Sequence, residues 1–284
     1  MAVPPSSARA LHPIEIRGRR FAWGERTYLM GIINATPDSF SGDGLHADVA
    51  AVRTRAIEFA EGGADIIDIG GESTRPGHAP VDDEEEARRV IPAVEAVRAV
   101  VDLPLSIDTF KPSVARAALA AGADIVNCVR GALTGVVEAA SAARAPVVIV
   151  HNRASADYPS DVVSEVIASL QRSASEAIAA GIRAEDVIVD PGIGFGKTAV
   201  HNVQILNRLR DFVDRLPHPL LVGTSRKSFI GAITGLPVED RSYGTAASVA
   251  LAIANGADIV RVHDVRQMSA VARVADAIVR QCST

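Results

Sequence analysis

From residue 29 onward the chain alternates between short apolar runs bounded by turn residues and longer Ala-rich stretches with a helical period. The runs are Leu29 to Ala35, Asp65 to Ile69, Leu105 to Asp108, Asp124 to Val129, Pro146 to His151, Val187 to Asp190, Leu220 to Thr224 and Asp258 to His263. Each is β-branched and nearly continuous in hydrophobicity, as a parallel strand covered on both faces should be, and the intervals are long enough for crossover helices. Eight such units predict a single-domain α/β fold, a (β/α)8 TIM barrel over residues 29–284. A flavodoxin-like open sheet would use about five strands. Upstream, residues 14–19 and 20–27 alternate partially around Gly18. Residues 1–28 are therefore predicted to be a short N-terminal extension with a hairpin over the N-terminal mouth of the barrel.

One phrase recurs at three helix-to-strand turns: Gly63-Ala64-Asp65-Ile66-Ile67, Gly122-Ala123-Asp124-Ile125-Val126 and Gly256-Ala257-Asp258-Ile259-Val260. A Gly past the helix end, a small residue and a polar residue leading into a buried strand are good turn chemistry, so the repeat reads as structural.

Composition narrows the class. The 284 residues fit the roughly 250 of one such barrel. With 48% hydrophobic, 22% charged and 4% aromatic residues, the chain is not intrinsically disordered, and its core must be aliphatic. A net charge of −5 without a basic stripe argues against a nucleic-acid partner. Cys128 and Cys282 form no CxxC pair, which points away from a disulfide framework and a structural zinc site and toward a reducing compartment. Neither a signal peptide nor a membrane-length apolar run is apparent, so no membrane association and a cytoplasmic location are expected.

In a barrel of this type the chemistry sits where the strands end. Asn34 closes the first run, and Asp68 in the second leads to Gly70 through Gly77; Asp108, Asn127, His151 and Asp190 mark the next four. Run seven leads to Ser225-Arg226-Lys227-Ser228, and run eight carries Arg261 and His263. Asp38, Asp43 or Asn152 alone would be ordinary loop or capping residues. Asp108, Asn127, Asp190 and Arg261 interrupt apolar strands, where an unpaired polar group is costly, so together they call for a polar ligand. Inward Asp and Asn suit a flat heterocycle with an amino-pyrimidine edge, while Arg261, His263 and Lys227 suit an anion such as phosphate. Pro191 through Thr198 ends like a Walker A loop but has Pro191 where that motif needs Gly, so nucleotide hydrolysis is not expected. No His/Cys/Glu cluster has zinc spacing. A magnesium ion held by Asn34 and a diphosphate, with waters completing its shell, fits the habit of that cation.

These phrases together resemble the dihydropteroate synthases of the pterin-binding barrel group. The resemblance covers about residues 29 to 280 and rests on Gly31 through Phe40, Asp68 through Gly77, Ile107-Asp108-Thr109, Asp190 through Lys197, Ser225 through Ser228 and Arg261 through Val265. It implies condensation of 6-hydroxymethyl-7,8-dihydropterin diphosphate with p-aminobenzoate, Mg2+ as cofactor, and a homodimer. By this resemblance Asp108, Asn127, Asp190, Lys227 and Arg261 bind the pterin; Asn34, Thr74, Arg261 and His263 hold the diphosphate, with Asn34 at the metal. Phe40, Thr74, Pro76, Phe195, Lys227 and Ser228 receive the aminobenzoate, and Asp38, Asp43, Arg75 and Lys227 serve catalysis. An S_N1-like course, diphosphate leaving first, explains why no covalent nucleophile stands out.

Three departures accompany the likeness. Cys128 stands where the family usually has Asp after the strand-four Asn, and Arg130 where it has Ser, so a changed pterin pocket is expected. Val150 replaces a usual Met, and Asp43 is displaced by one position in the first loop. A divergent pterin-binding paralogue without synthase activity is the alternative that Cys128 and Arg130 raise. A methyltetrahydrofolate methyltransferase would leave Ser225 through Ser228 and the Thr74-Arg75-Pro76 loop without a purpose.

Overall fold

The computed structural model describes residues 11–35, 49–72, 80–131 and 134–280. Ten strands are described: β1 (Ile14–Ile16), β2 (Arg19–Phe21), β3 (Tyr28–Asn34), β4 (Ile66–Gly70), β5 (Leu105–Asp108), β6 (Ile125–Cys128), β7 (Val147–Val150), β8 (Val187–Asp190), β9 (Leu221–Val222) and β10 (Ile259–Val262). Between and after them run α1 (Val49–Gly62), α2 (Asp83–Arg98), α3 (Pro112–Ala120), α4 (Thr134–Ala143), α5 (Val162–Ala179), α6 (Ala199–Asn207), α7 (Leu209–Arg215), α8 (Ser228–Thr234), α9 (Ser242–Ala254) and α10 (Val265–Val279). Strands β3 to β10 form one parallel sheet in the order β8-β7-β6-β5-β4-β3-β10-β9, and the Val189–Leu220 bridge joins its two edges. The result is the eight-stranded barrel predicted from the apolar runs.

The hydrogen-bonded strands are shorter than the runs that announce them. The difference is largest at β9, where only Leu221 and Val222 pair, because Thr224 turns the chain: its carbonyl already accepts from the Lys227 N–H at 3.2 Å. Two apolar layers result from the period of two along each strand. Alternate residues such as Ile67, Leu105, Val126, Val147, Val187 and Val260 face the helices, while Met30, Ile66, Ile125, Val148, Ile188 and Ile259 fill the barrel interior. No helix among the described residues is long and apolar enough to cross a membrane.

The N-terminal mouth is closed by β1 and β2, an antiparallel pair turning through Arg17 and Gly18. Ile14, Ile16, Phe21 and Trp23 from this segment join the interior cluster, and the Phe21, Trp23 and Tyr28 rings contact one another at centroid distances of 4.8 to 5.8 Å.

The recurring Gly-Ala-Asp phrase has a shared job at this same end. Gly63, Gly122 and Gly256 take φ of +94°, +114° and +95°, left-handed values that let each helix stop and turn into a strand. The aspartate that follows exchanges two bonds with the start of the neighbouring strand. Asp65 does so with Leu29, Asp124 with Leu105 and Asp258 with Leu220, the carboxylate accepting from the backbone N–H at 2.9, 2.9 and 2.8 Å.

Candidate active site

One step along each strand from the apolar floor, the inward positions turn polar. Ile66 is followed on the same face by Asp68, Ser106 by Asp108, Ile125 by Asn127, Ile188 by Asp190 and Ile259 by Arg261, and all of these side chains are largely buried. Arg261 is their hub. Its Nε donates to Asp68 Oδ2 at 2.6 Å and its Nη2 to Asp108 Oδ2 at 2.7 Å, while Asn127 Nδ2 donates to the same Asp68 oxygen at 3.2 Å. Asp68 Oδ1, Asp108 Oδ1 and Asn127 Oδ1 are buried with no hydrogen-bond partner among the described residues. Across the barrel Asp190 uses Oδ1 to accept from the Gly192 N–H at 2.7 Å.

Burial dominates the protonation of this group. It pushes the Asp108 carboxyl up to about 7, with Arg261 opposing and Asp68 reinforcing the rise, and it raises Asp190 against the pull of Lys227. The same burial lowers the Lys227 ammonium to about 8, although Asp190 resists. Lys227 donates to the Ile193 carbonyl, and its Nζ stands 4.5 Å from the centroid of the Phe195 ring. Phe195 in turn packs on the upper edge of the interior cluster. The segment that delivers Lys227 is fixed from both sides: Arg226 holds Asp264 through two contacts of 3.0 and 2.5 Å, and the Arg226 N–H donates to Thr245 Oγ1 at 3.0 Å. Ser228 opens α8, and His263 Nδ1 lies 2.9 Å from Ser225 Oγ. Asn34 ends β3 half-buried, in register with Gly70.

Asp108, Asn127, Asp190, Lys227, Arg261 and Phe195 thus converge on one floor at the C-terminal ends of the strands, with Asn34, His263 and Ser228 at strand and loop ends around it. Asp38, Phe40, Asp43, Thr74, Arg75 and Pro76 lie outside the described residues. The structure corrects the expectation attached to Cys128. Asn127 faces inward, so Cys128 faces outward among the helix-layer residues, where its thiol donates to the Gly131 carbonyl. It does not border the floor. Arg130 stacks on the Phe110 ring at 3.8 Å from its centroid. Val150 lies inside the barrel, paired in register with Asp190.

Asp68 is the member that lies within the second apolar run of the sequence but carries no role in the sequence-based site. It interrupts its strand as Asp108 does, and strict alternation from Ile66 would have placed it inward. Its pairing with a residue 193 positions away has no sequence signal.

Comparison with known proteins identifies the family. Residues 30–263 match the model of the pterin binding enzyme family. A dihydropteroate synthase of Clostridium beijerinckii is 43% identical over 271 residues, covering 94% of this chain and all of the relative. One from Synechocystis sp. is 45% identical over 278 residues, covering 94% and 96%. Among solved structures, the Xanthomonas albilineans dihydropteroate synthase with 4-aminobenzoic acid superposes with a TM-score of 0.89 at 44% identity, covering 96% of this chain and 99% of that one. The same enzyme in complex with 7,8-dihydropteroate gives 0.86 at 41%. With a family match over residues 30–263 and this identity over nearly its whole length, the chain belongs to the pterin-binding enzyme family, among the dihydropteroate synthases.

Proposed function

We propose that the chain condenses 6-hydroxymethyl-7,8-dihydropterin diphosphate with p-aminobenzoate, giving 7,8-dihydropteroate and diphosphate in folate biosynthesis. The observation that carries this reading is the set of three buried, unpartnered acceptor oxygens on Asp68, Asp108 and Asn127. Left empty, each such atom costs about 1–3 kcal/mol. An aminopyrimidinone edge brings flat, closely spaced N–H donors that would meet them, with Asp190 accepting from the other side. Lys227 would reach the ring oxygen and N5, and Arg261, already committed to two carboxylates, would cover the ring and face the diphosphate with His263.

The chemistry then needs charge stabilisation more than a nucleophile. The C–O bond to diphosphate breaks and its electron pair leaves with the phosphate. The methylene cation is delocalised into the dihydropterin ring, where the ionised Asp108 and Asp190 stabilise it. The aminobenzoate nitrogen attacks the methylene, forms the C–N bond and loses one proton to solvent. The aminobenzoate ring would lie between Phe195 and the stem of Lys227, its carboxylate near Ser228. Asp38, Phe40, Asp43, Thr74, Arg75 and Pro76 join this reading by resemblance alone.

Magnesium belongs to the proposal as a companion of the diphosphate. Among the described residues no group of three or more His, Cys, Asp or Glu side chains could hold a metal ion, and Asn34 offers one neutral amide oxygen. That donor fits a cation arriving with diphosphate oxygens as its main ligands. Asn34 would hold it there, and the ion would neutralise the departing charge.

A homodimer is part of the same reading. Ile233 and Leu236 at α8, Tyr243 and Leu251 on α9, and Val274 and Ile278 on α10 are exposed by 41 to 89% on three adjoining helices, an apolar face that a second copy would cover. A reducing, cytoplasmic setting, in which the buried Cys128 stays a thiol, completes it.

The test is diphosphate release from the pterin diphosphate with Mg2+, with and without p-aminobenzoate, with identification of the product. Aminobenzoate-dependent dihydropteroate is the expected result. Pterin binding without product would instead select the non-catalytic paralogue, whose main motive weakens once Cys128 is seen to face the helices.

A further inference from the structure

The turn from Pro191 to Thr198 looks like a phosphate loop, and the reaction outlined above gives a task to its Phe195 but none to its lysine. Its lysine does not serve an anion. Lys197 Nζ lies 2.9 Å from His151 Nδ1, 2.9 Å from the Gly192 carbonyl oxygen and 3.0 Å from the Phe195 carbonyl oxygen. Three acceptors match the three N–H donors of an ammonium, so none remains for a phosphate. The histidine must be neutral to accept: burial, reinforced by Lys197, depresses it to about 3.

The turn is also pressed onto the end of β7. Gly192, Gly194 and Gly196 have φ of +69°, +85° and +57°. A Cβ on Gly192 would collide with the His151 carbonyl, and one on Gly196 with the Arg153 carbonyl. A segment with this much backbone freedom in the unfolded chain needs outside ties to hold one shape. Lys197 supplies ties at both ends of the segment at once, to Gly192 and Phe195, and fastens them to a different strand through His151.

We propose that Lys197 is a positioning residue for the aminobenzoate step: with His151 it straps the Gly192 to Lys197 turn to β7 and so fixes the Phe195 ring against Lys227. This inference rests on the dihydropteroate synthase reading, because it takes the Phe195 and Lys227 pair as the aminobenzoate contact. The strap acts chiefly on that substrate: Lys197 donates to none of the pterin-facing carboxylates, and its one link toward them runs through Gly192, whose N–H donates to Asp190. Its charge is sensitive to pH. Burial lowers the Lys197 ammonium to about 7, with Asp190 opposing and with Lys227 and Arg153 adding to the shift; neutral His151, the Tyr158 hydroxyl on Gly196 and the His201 ring at Thr198 also lie beside the turn, and Glu165 pairs with Arg153. Above that pH the neutral amine keeps two N–H donors for three acceptors, so one tie is lost.

Steady-state kinetics of Lys197→Met, with both substrates varied, tests the strap. The KM for aminobenzoate is expected to rise about tenfold, the loss of roughly one to two hydrogen bonds from a charged donor, while the KM for the pterin diphosphate stays within about twofold. The gap between wild type and variant should narrow above pH 8, where the wild-type strap is itself weakened. His151→Gln, whose amide oxygen can accept in place of Nδ1, should keep the aminobenzoate KM near wild type, and His151→Leu should raise it as Lys197→Met does. An unchanged aminobenzoate KM, or an equal rise for both substrates, in the soluble variant overturns the strap; if Lys197→Met does not fold, His151→Leu decides by the same criteria. Absence of turnover in the wild type sinks the synthase reading instead. Hydrogen exchange at the Phe195 amide then decides the strap, with faster exchange in Lys197→Met supporting it and equal exchange ruling it out.

Discussion

The aspartate of each Gly-Ala-Asp phrase is followed three positions on by a second polar residue, and the two sets lie toward opposite ends of the barrel. Asp65, Asp124 and Asp258 open their strands; Asp68, Asn127 and Arg261 follow them on the inward face. The first three have their bonds completed by protein. Asp65 and Asp124 also pair with Arg26 and Arg98 at 2.5 Å, and each of the three holds the start of an adjacent strand. Of the second set, Asp68 and Asn127, with Asp108 beside them, keep acceptor oxygens that no described residue satisfies. The same residue type is therefore structural at one end and ligand-directed at the other, and the difference lies in whether its valences are filled. This is the division of labour expected between the two faces of such a barrel.

Substitution should separate the two ends. Asp190→Asn exchanges an acceptor pair for an amide that presents a donor to the pterin, and a loss of about 100-fold in pterin affinity, or about 3 kcal/mol, is expected with little change in Tm. Calorimetric titration with a pterin ligand checks it, and unchanged affinity would remove Asp190 from the floor. Asp258→Ala should do the reverse. It leaves the Leu220 N–H at the barrel seam without its partner, costing about 1–3 kcal/mol in urea denaturation while both KM values stay near wild type.

Protonation offers a finer probe of the ligand-directed end. Asp108 is raised from its usual carboxylate value to about 7. Between the two values the native state binds a proton that the unfolded state lacks, so this group's contribution to the stability of the free protein falls as pH rises toward 7. Pterin binding requires the carboxylate and works in the opposite sense. Affinity should weaken as pH drops below 7, by at most about tenfold per unit, and binding at pH 6 should release up to about one proton. Titrations in buffers of different ionisation enthalpy measure that release. The smallest effect belongs to Cys128→Ala, which trims the helix-facing side of β6: a Tm lower by a few degrees at most, about 1 kcal/mol, and a pterin affinity within about twofold of wild type.

Much of the fold could be read along the chain because it repeats. Eight apolar runs with helical intervals leave few other topologies, and the strand-ending Asp108, Asn127, Asp190 and Arg261 stand out as polar breaks in those runs. Asp68 is equally visible as a polar break in the second run, but the sequence gives it no role, because its partners Arg261 and Asn127 lie far along the chain. Cys128 was misplaced for the complementary reason. Adjacency to Asn127 in sequence suggests a shared pocket, whereas neighbours on a strand point to opposite faces.

The sequence by itself determined the number of strands, the fold class and the end of the barrel at which chemistry occurs, because these follow from short-range period and turn residues. Only the tertiary structure decided which polar groups complete one another. Arg261 meets Asp68 and Asp108 across 193 and 153 residues of chain, and Lys197 meets His151 across 46. Such pairings depend on how the strands close into a ring, and no local pattern carries that information. A carboxylate in an apolar strand is therefore conspicuous in the sequence, but whether it is satisfied by protein or left for a ligand appears only once the barrel is closed.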